Sequence, residues 1–381
     1  MCNFTFISIP VITMNITFVL PPVSLSGGIR STGMIAKGLL KRGHDVLCVC
    51  PARKKPSLRD QLRSLKKGKG WLHWQKRGQS HFDDIDIPLK VTDHPAPIVA
   101  PDVPDADIVV ATWWETAEWV MQFPPSKGAK VYFIRHHEIH DYLPVERSRA
   151  TYSFPMHKVT ISGWLVDLME KKYGDSNVSK VPNSVDINKY YAPIRGKQAT
   201  PTVGMMYDTT YWKGCNISIK AFQIAAEKIP NLKMIAFGKR DPSPKLTLPP
   251  QTEYIRLPVQ NTIKDIYARC DVWLCGSWSE GFHRPPLEAM ACRCPVVSTR
   301  VGGPMDIIED GINGYLVDPG DYEGLAERLV RVLNLAEEQW QRMSQAAYET
   351  VASYTWDDAA ELCEEAFERA IQRYQDGSLS P

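Results

Sequence analysis

The sequence has little net charge and no low-complexity run. Its 45 lysines and arginines are nearly balanced by 43 aspartates and glutamates, which leaves a net charge of +2. Apolar residues make up 44% of the chain and charged residues 23%, the proportions of a soluble globular protein. A chain of 381 residues exceeds one ordinary domain, so the length predicts two domains.

The N-terminus lacks the features of a targeting segment. Residues 1–22 are apolar, but Asn3, Pro10 and Asn15 interrupt them, and neither a basic stretch nor a small-residue cleavage site accompanies them. The segment is marginal for a membrane span. We predict the first buried strand over residues 15–20 and interpret residues 1–13 as an extension ahead of a natural start at Met14.

The chain also lacks a cysteine pattern of zinc-site type. Its nine cysteines include the pairs Cys48-x-Cys50 and Cys292-x-Cys294 beside predicted strands, but no Cys/His quartet with zinc spacing follows. This pattern favours buried free thiols in a reducing cytosol.

Charge is unevenly distributed along the chain. Residues 1–192 hold 25 basic and 18 acidic residues (+7), which leaves 45−25 = 20 basic and 43−18 = 25 acidic residues (−5) for the remainder.

Within the basic half, residues 53–77 carry ten lysines and arginines against one acid, Asp60, with leucines and tryptophans interleaved. A basic amphipathic segment with tryptophans predicts docking on an anionic membrane surface, and a solvated surface loop is the alternative. No recognised nucleic-acid motif accompanies it, so nucleic acid is not a predicted partner.

Residues 271–303 form the most informative unit of the sequence. An apolar run at 272–275 predicts a buried strand, a polar turn with glycines spans 276–283, and Pro285-Pro286 opens a helix. A second strand at 295–298 and the Gly302-Gly303 turn complete a strand–loop–helix–strand module of α/β type.

Two carboxylates stand on either side of the N-terminus of this predicted helix. Glu280 lies in the loop just before the helix and Glu288 lies at its start. Both should face the crevice at the carboxyl ends of the strands, and the helix N-terminus between them suits a phosphate. A ligand with a central phosphate and hydroxyls at both ends, such as a nucleotide-sugar, fits this layout. On spacing alone, the alternative that Glu288 caps its helix and Glu280 is solvated stays open.

The E-x7-E frame of Glu280 and Glu288, followed by AMAC, PVV and VGG, resembles the donor site of the family 4 retaining glycosyltransferases. The resemblance implies the GT-B fold, in which two Rossmann-like, doubly wound parallel-sheet domains face a central cleft. Residues 1–192 would form the acceptor-side domain, with a C-terminal helix at 357–381 packing back on it. Residues 193–356 would form the donor-binding domain.

The same resemblance implies retaining transfer of a hexose-type sugar from a UDP- or GDP-type donor to a sugar or lipid-linked acceptor, without metal or cofactor. Such a protein would act in polysaccharide, glycan or glycolipid biosynthesis, in the cytoplasm or peripherally on the inner face of the membrane.

The implied catalytic residues are Glu280, Lys213, and His136 or His137, which the sequence does not distinguish. The implied donor-binding residues are Gly27, Gly28, Gly204, Gly238, Arg240, Val259, Gly281, Phe282, His283, Arg284 and Glu288. The D-x-D pattern at Asp84–Asp86 is not expected to hold a metal, since the resemblance implies metal-independent chemistry.

In the second domain the chain departs from the family pattern at three positions, and in the first domain Ser184 replaces a usual glycine. An arginine usual shortly after the glycine at 204 is missing, and Met205 or a neighbour stands in its place; Lys239, Arg240 and Arg284 are candidate substitutes. His283 and Arg293 occupy positions where relatives usually have glycine. The missing cation keeps two alternatives open, a non-catalytic or weakly active nucleotide-sugar-binding paralogue and a same-fold nucleotide-sugar epimerase.

Overall fold

Two parallel β-sheets organise the chain. The computed structural model describes residues 13–379, so residues 1–12 of the predicted N-terminal extension and residues 380–381 lie outside it. The strands are β1 (Asn15–Val19), β2 (Asp45–Cys50), β3 (Leu89–Val91), β4 (Ile108–Ala111), β5 (Ala129–Ile134), β6 (His157–Thr160), β7 (Ser179–Lys180), β8 (Thr202–Met206), β9 (Lys233–Gly238), β10 (Glu253–Arg256), β11 (Val272–Cys275), β12 (Val296–Thr299) and β13 (Gly314–Val317).

Helices cover both faces of the sheets. They are α1 (Gly27–Lys41), α2 (Leu58–Lys66), α3 (Trp114–Met121), α4 (Val145–Thr151), α5 (Gly163–Tyr173), α6 (Cys215–Ala226), α7 (Ile263–Ala268), α8 (Arg284–Ala291), α9 (Pro304–Ile307), α10 (Tyr322–Leu333), α11 (Glu337–Ala352) and α12 (Trp356–Gln375). Among these helices, none is long and apolar enough to cross a membrane.

The strand orders confirm the predicted fold class. The first sheet runs β3-β2-β1-β4-β5-β6-β7 and the second β10-β9-β8-β11-β12-β13, with every pair parallel. Each order reverses once, between β1 and β4 and between β8 and β11, which is the arrangement of a doubly wound fold. Ligands of such sheets bind outside the carboxyl ends of the strands at these reversals, and both reversals face the cleft between the domains.

The central strands were predicted well, but short edge elements were missed. The continuous apolar runs at β1, β4, β5, β6, β8 and β11 mark strands buried on both faces, and all of them are present. The edge strands β3 and β7 have only three and two residues and no apolar run, so periodicity carries no signal for them. All eight described cysteines are buried and unpaired, as predicted for free thiols.

The last helix packs on the first domain. Helix α12 lies against α1 and strands β4, β5 and β6. The close approach depends on Gly38 in α1, because a Cβ atom there would lie only 2.5 Å from the Cβ of Ala360 in α12. Gly38 thus lets the chain return across the domain boundary and join the C-terminal helix to the first sheet.

We predict that Gly38→Ala lowers the free energy of unfolding by about 1–2 kcal/mol, because overpacking outweighs the gain in helix propensity. Urea denaturation followed by circular dichroism measures the change. The double variant Gly38→Ala/Ala360→Gly, which moves the methyl group from α12 to α1, should be more stable than the sum of the two single changes. Strict additivity would contradict this packing.

Candidate active site

Three loops at the carboxyl ends of parallel strands form the floor of the cleft. They follow β5 in the first domain and β8 and β11 in the second. The loops after β8 and β11 touch at Gly214, where the backbone has φ +56° and a Cβ atom would lie 1.7 Å from the carbonyl oxygen of Gly276. Only glycine permits this contact, which brings Lys213 beside the β11 loop.

The pair Lys213–Glu280 lies at the centre of the site. Nζ of Lys213 donates to both carboxylate oxygens of Glu280, at 2.9 and 2.8 Å. The hydroxyl of Ser277 donates to the same carboxylate at 2.9 Å. Glu280 is 6% exposed, whereas the side chain of Lys213 is 26% exposed. Glu280 therefore pairs with a lysine from a separate loop, 67 residues away in the sequence.

Glu280 is held ionised by its surroundings. Burial opposes the charge, but the nearby His283 and Lys213, with the hydrogen bonds from Lys213, hold the pKa of the carboxyl well below its usual range. Nδ1 of His283 lies 2.9 Å from Oε1 of Glu280, although the ring N–H is not aligned for an ideal hydrogen bond.

Both residues that replace a usual glycine adopt left-handed backbone conformations. His283 has φ +69° directly before α8, and Arg293 has φ +58° just after it. Non-glycine residues are strained in the left-handed region of backbone conformation. This strain explains why relatives usually have glycine at these two positions. Here each side chain has found contacts: His283 lies beside Glu280, and Arg293 donates through Nε to the carbonyl of Ala192 at 3.2 Å.

Glu288 faces a cationic cluster that joins the domains. Its Oε1 accepts a 2.5 Å hydrogen bond from Nη2 of Arg284, and Nη1 of Arg30 in α1 lies 4.0 Å from the same oxygen. The buried hydroxyl of Tyr267 donates to Oε2 at 3.0 Å. Nη1 of Arg30 also donates to the hydroxyl of Tyr190 at 3.1 Å. Glu288 therefore contacts both domains, and a simple helix cap does not describe it.

The N-terminus of α8 offers fewer backbone donors than its position predicts. Prolines occupy positions 285 and 286 in its first turn, and neither carries an N–H group. Backbone N–H groups remain at His283 and Arg284. The guanidinium of Arg284 lies at the same helix end, and a Cβ atom on Gly27 would lie 3.7 Å from its Nη1. A side-chain cation therefore lies at this helix end beside the remaining backbone N–H groups.

The structure separates the two candidate histidines. His136 lies on the cleft side, where a Cβ atom on Gly281 would be 3.4 Å from its Cβ, and its ring packs edge-on against Trp164. Nδ1 of His136 contacts the carbonyl of His137 at 3.0 Å, which leaves Nε2 as the ring nitrogen for a ligand. Burial lowers the pKa of His136 to about 4, so its imidazole is neutral at pH 7.

His137 points into the first domain. Its Nε2 lies 2.8 Å from the hydroxyl of Tyr173, and its ring packs against Tyr152. Burial lowers the pKa of His137 to about 4, and the residue is 8% exposed. These contacts are those of a satisfied core histidine, and the structure does not bring His137 to Glu280.

The loop from Glu280 to His283 is clamped between the domains. The carbonyl of Gly281 accepts hydrogen bonds from Oγ of Ser162 and Nε1 of Trp164, each at 3.0 Å. A Cβ atom on Gly281 would lie 1.9 Å from the carbonyl oxygen of Arg135, so this position requires glycine. Phe282 is buried beside the Gly302-Gly303 turn, and its carbonyl accepts from the N–H of Gly303 at 2.6 Å.

Three other predicted donor contacts, in or after strands β8 and β9, make no contact with the Lys213–Glu280 pair. Gly204 is inside the second domain, where a Cβ atom would meet the ring of Trp273 at 2.4 Å, so it does not line the cleft. Arg240 is exposed beyond the end of β9, and its carbonyl accepts from Tyr254. Gly238 packs against that same tyrosine and the carbonyl of Tyr207.

Val259 and the first-domain glycines border the cleft. Val259 is 67% exposed, and the next residue, Gln260, donates from Nε2 to the hydroxyl of Tyr190 at 3.0 Å. Gly27 faces Arg284, as described, and a Cβ atom on Gly28 would lie 3.4 Å from Cδ of Arg135. The loop before α1 therefore does lie across the cleft from α8.

Sequence reasoning missed two charged residues at the cleft. Arg30 reaches Glu288 from the first turn of α1, and Glu138 follows the histidine pair after β5. Burial raises the pKa of Glu138 to about 7. Each lies within three residues of a predicted site residue, so proximity in the sequence to Gly28 or His137 was the available signal. Asp84 and Asp86 are both exposed in the first domain, and no cluster of three metal-ligating side chains occurs among residues 13–379.

The fold is shared with solved GT-B structures. Anabaena HepE, solved in complex with UDP-glucose, superimposes with a TM-score of 0.68 and 19% identity over 93% of this chain and 99% of that one. Two doubly wound parallel sheets around a cleft, together with this similarity, define the chain as a GT-B protein.

A family model matches most of the second domain. Residues 192–350 are similar to the family Glycosyl transferases group 1. A sucrose synthase of Acidithiobacillus caldus is 46% identical over 86 residues, which are 22% of this chain and 11% of that protein. N-acetyl-alpha-D-glucosaminyl L-malate synthase of Bacillus anthracis is 38% identical over 92 residues, 24% of each chain. The chain thus matches only a minor part of these curated relatives.

We predict that Glu280→Gln lowers the free energy of unfolding at pH 7 by about 2 kcal/mol, because hydrogen bonds to an ionised group are lost. The pKa of Glu280 is lower in the folded than in the unfolded state, so its ionisation stabilises the fold above about pH 4.3. As the pH falls through the folded-state pKa, that stabilisation is lost. The difference between wild type and variant should therefore shrink from pH 7 to pH 3 in urea denaturation.

Glu368→Gln is the matched control, since Glu368 is exposed on α12 and forms no ion pair among the described residues. Its effect should be small at every pH. A Glu280→Gln effect that stays constant between pH 7 and pH 3 would contradict the ionised pair.

Proposed function

We propose that the protein transfers a hexose-type sugar from a nucleotide-diphosphate donor to an acceptor hydroxyl with retention of configuration. The observation that carries this proposal is the buried Lys213–Glu280 pair beside His136 at the interdomain cleft. The match of residues 192–350 to the family Glycosyl transferases group 1 and the GT-B fold support the reaction class. UDP-glucose in the complex of Anabaena HepE supports a UDP-type donor.

Glu280 and Lys213 would act on the two sides of the breaking bond. An ionised, buried carboxylate is a strong acceptor for sugar hydroxyls. Lys213, partly exposed at the other side of the pair, would stabilise the negative charge that develops on the leaving diphosphate. Backbone N–H groups of His283 and Arg284 would bind the same diphosphate.

Arg284 is the substitute that the geometry supports for the missing arginine. It lies at the N-terminus of α8 facing Gly27, whereas Lys239 and Arg240 are exposed in the loop that follows β9. Glu288 holds the guanidinium in place at 2.5 Å and would also bind the ribose hydroxyls of the nucleotide. The exposed loop at Val259 would receive the base through backbone groups.

The chemical step needs no dedicated base. The acceptor oxygen forms a bond to the anomeric carbon as the bond from that carbon to the phosphate oxygen breaks on the same face. The acceptor proton passes to the departing phosphate oxygen. His136, neutral at pH 7 because burial lowers its pKa to about 4, would hold a hydroxyl near the anomeric carbon through Nε2.

We expect one nucleotide-sugar in a panel of UDP, GDP, dTDP and ADP sugars to raise the melting temperature. A ligand at a hundred times its dissociation constant stabilises the folded state by about 2.7 kcal/mol, which a thermal-shift assay detects. Glu280→Gln should keep nucleotide stabilisation while transfer and donor hydrolysis fall about 100-fold or more. Lys213→Ala should weaken both.

Lys228→Ala is the control, since Lys228 is exposed just after α6 and is not among the predicted donor-binding residues. Stabilisation by no nucleotide-sugar would contradict the proposal. Binding without turnover in the wild type would favour a non-catalytic donor-binding paralogue, and conversion of the donor sugar without transfer would favour an epimerase.

We further propose that the first domain docks on an anionic membrane, which would place the reaction on the cytoplasmic face beside a lipid-linked acceptor. Helix α2 has inverted polarity: Gln61 and Ser64 are buried, while Leu58 is 78% and Leu62 60% exposed. Such a helix buries its polar face against its own protein. Its outward apolar face is therefore suited to contact with the apolar part of a membrane.

The segment that follows α2 extends this surface. Trp71 and Trp74 are exposed, and Leu72 is fixed to the helix by paired hydrogen bonds with Gln61 at 2.7 and 2.9 Å. Nζ of Lys55 lies over the ring of Trp74 at 5.2 Å. Ten basic residues surround these side chains, and each adds about 1 kcal/mol of attraction near an anionic bilayer.

We predict that the protein sediments with liposomes containing anionic phosphatidylglycerol and that salt weakens the binding, because charge attraction is screened. Leu62→Glu should abolish sedimentation. Ile312→Glu, which changes an exposed isoleucine of the second domain, should not. Equal binding to neutral and anionic vesicles, or none, would contradict the docking surface.

A further inference from the structure

A cluster of aromatic rings borders the proposed reaction centre and takes no part in the steps above. Its members are His140, Tyr142, Tyr211, Trp212 and Trp278, which we name the aromatic platform. His140 stacks on Trp212 with ring centres 4.5 Å apart and planes at 17°, and on Tyr142 at 5.4 Å and 6°. Tyr211 stacks on Trp278 at 6.1 Å and 10°.

Each cleft loop supplies one polar site residue and at least one ring of the platform. In the loop after β5, the rings of His136 and His140 are 5.0 Å apart. In the loop after β8, Trp212 directly precedes Lys213. The loop after β11 places Trp278 two residues before Glu280, and the N–H of Trp278 donates to the carbonyl of Trp212 at 2.8 Å. The platform is therefore continuous with the reacting pair.

The platform is open to solvent at its outer side. Tyr142 is 66% and Tyr211 72% exposed, so ring faces that a folded core would bury remain accessible. Polar groups lie at its edge: the two tyrosine hydroxyls, and Nε2 of His140 at 4.0 Å from a carboxylate oxygen of Glu138. An apolar face with polar edges matches a sugar ring, whose C–H bonds point along its faces and whose hydroxyls lie around its rim. A lipid chain would require an aliphatic surface without such edges.

We propose that the aromatic platform is the acceptor subsite and binds an uncharged pyranose ring by stacking. The inference rests on the proposed glycosyl transfer, because the platform becomes an acceptor site only if the adjacent pair handles a donor. It adds the acceptor class, a carbohydrate presented as a ring beside His136, which the donor-side residues do not specify.

The test uses methyl α-D-glucopyranoside, methyl α-D-mannopyranoside and methyl α-L-rhamnopyranoside as probes, each titrated with and without saturating UDP. Intrinsic fluorescence reports binding, since Trp212 and Trp278 belong to the platform. We expect at least one glycoside to change the fluorescence. Tyr142→Ala and Tyr211→Ala should each weaken that binding about tenfold, and Tyr142→Phe, which keeps the ring, about twofold or less.

Tyr374→Ala, at an exposed tyrosine of α12, should leave glycoside binding unchanged. The proposal is overturned if no glycoside changes the fluorescence, or if both alanine variants bind as tightly as the wild type. It is also overturned if these variants alter only nucleotide-induced stabilisation, because the rings then serve to join the domains. Nucleotide stabilisation of the wild type is measured separately, so failure of the donor site and failure of the platform give different results.

Discussion

The ion pair between Lys213 and Glu280 is the constraint on which the cleft depends. Burial by itself would drive the carboxyl toward its neutral form, so its charge needs partners in fixed positions. Those partners come from two loops, and they meet only because Gly214 lets the loops touch. Once Glu280 is fixed, the next residue, Gly281, is held against the first domain by two hydrogen bonds from its side chains. One buried charge thereby couples loop geometry to domain arrangement.

Compared with the family pattern, this chain has fewer N–H groups at the start of α8 and lacks the arginine near the first strand of the second domain. Its nitrogen-bearing groups are side chains at α8. Two prolines remove N–H groups from the helix end, and Met205 stands near the place of the usual arginine. In compensation, Arg284 lies at the helix N-terminus and is held by Glu288, which Arg30 approaches from the other domain. His283 adds a further group beside Glu280 at the cost of a left-handed backbone. Arg284 and His283 thus each place a nitrogen close to one of the two glutamates.

The first domain carries exposed apolar surface in two places that ordinary folding does not explain. Helix α2 turns its leucines outward, and the loop after β5 presents Tyr142 beside the cleft. The composition of residues 53–77 predicted the first surface, but it did not show which face of α2 is outside, because the hydrophobic positions of α2 have the spacing of a core-facing helix. Only the packing of Gln61 and Ser64 against the protein shows which face is outside.

From apolar runs and local spacing, the sequence predicted an α/β unit, the central strands and the position of Glu280 and Glu288 beside α8. The two doubly wound domains were predicted from the family resemblance. The sequence did not distinguish His136 from His137. Adjacent residues after a strand point to opposite sides, and the sequence does not show which side faces the cleft. It also left Arg284 as one of three candidate cations. Tertiary structure decided these points, since contacts between residues as distant as Lys213 and Glu280, or Arg30 and Glu288, arise only when the two sheets are brought together.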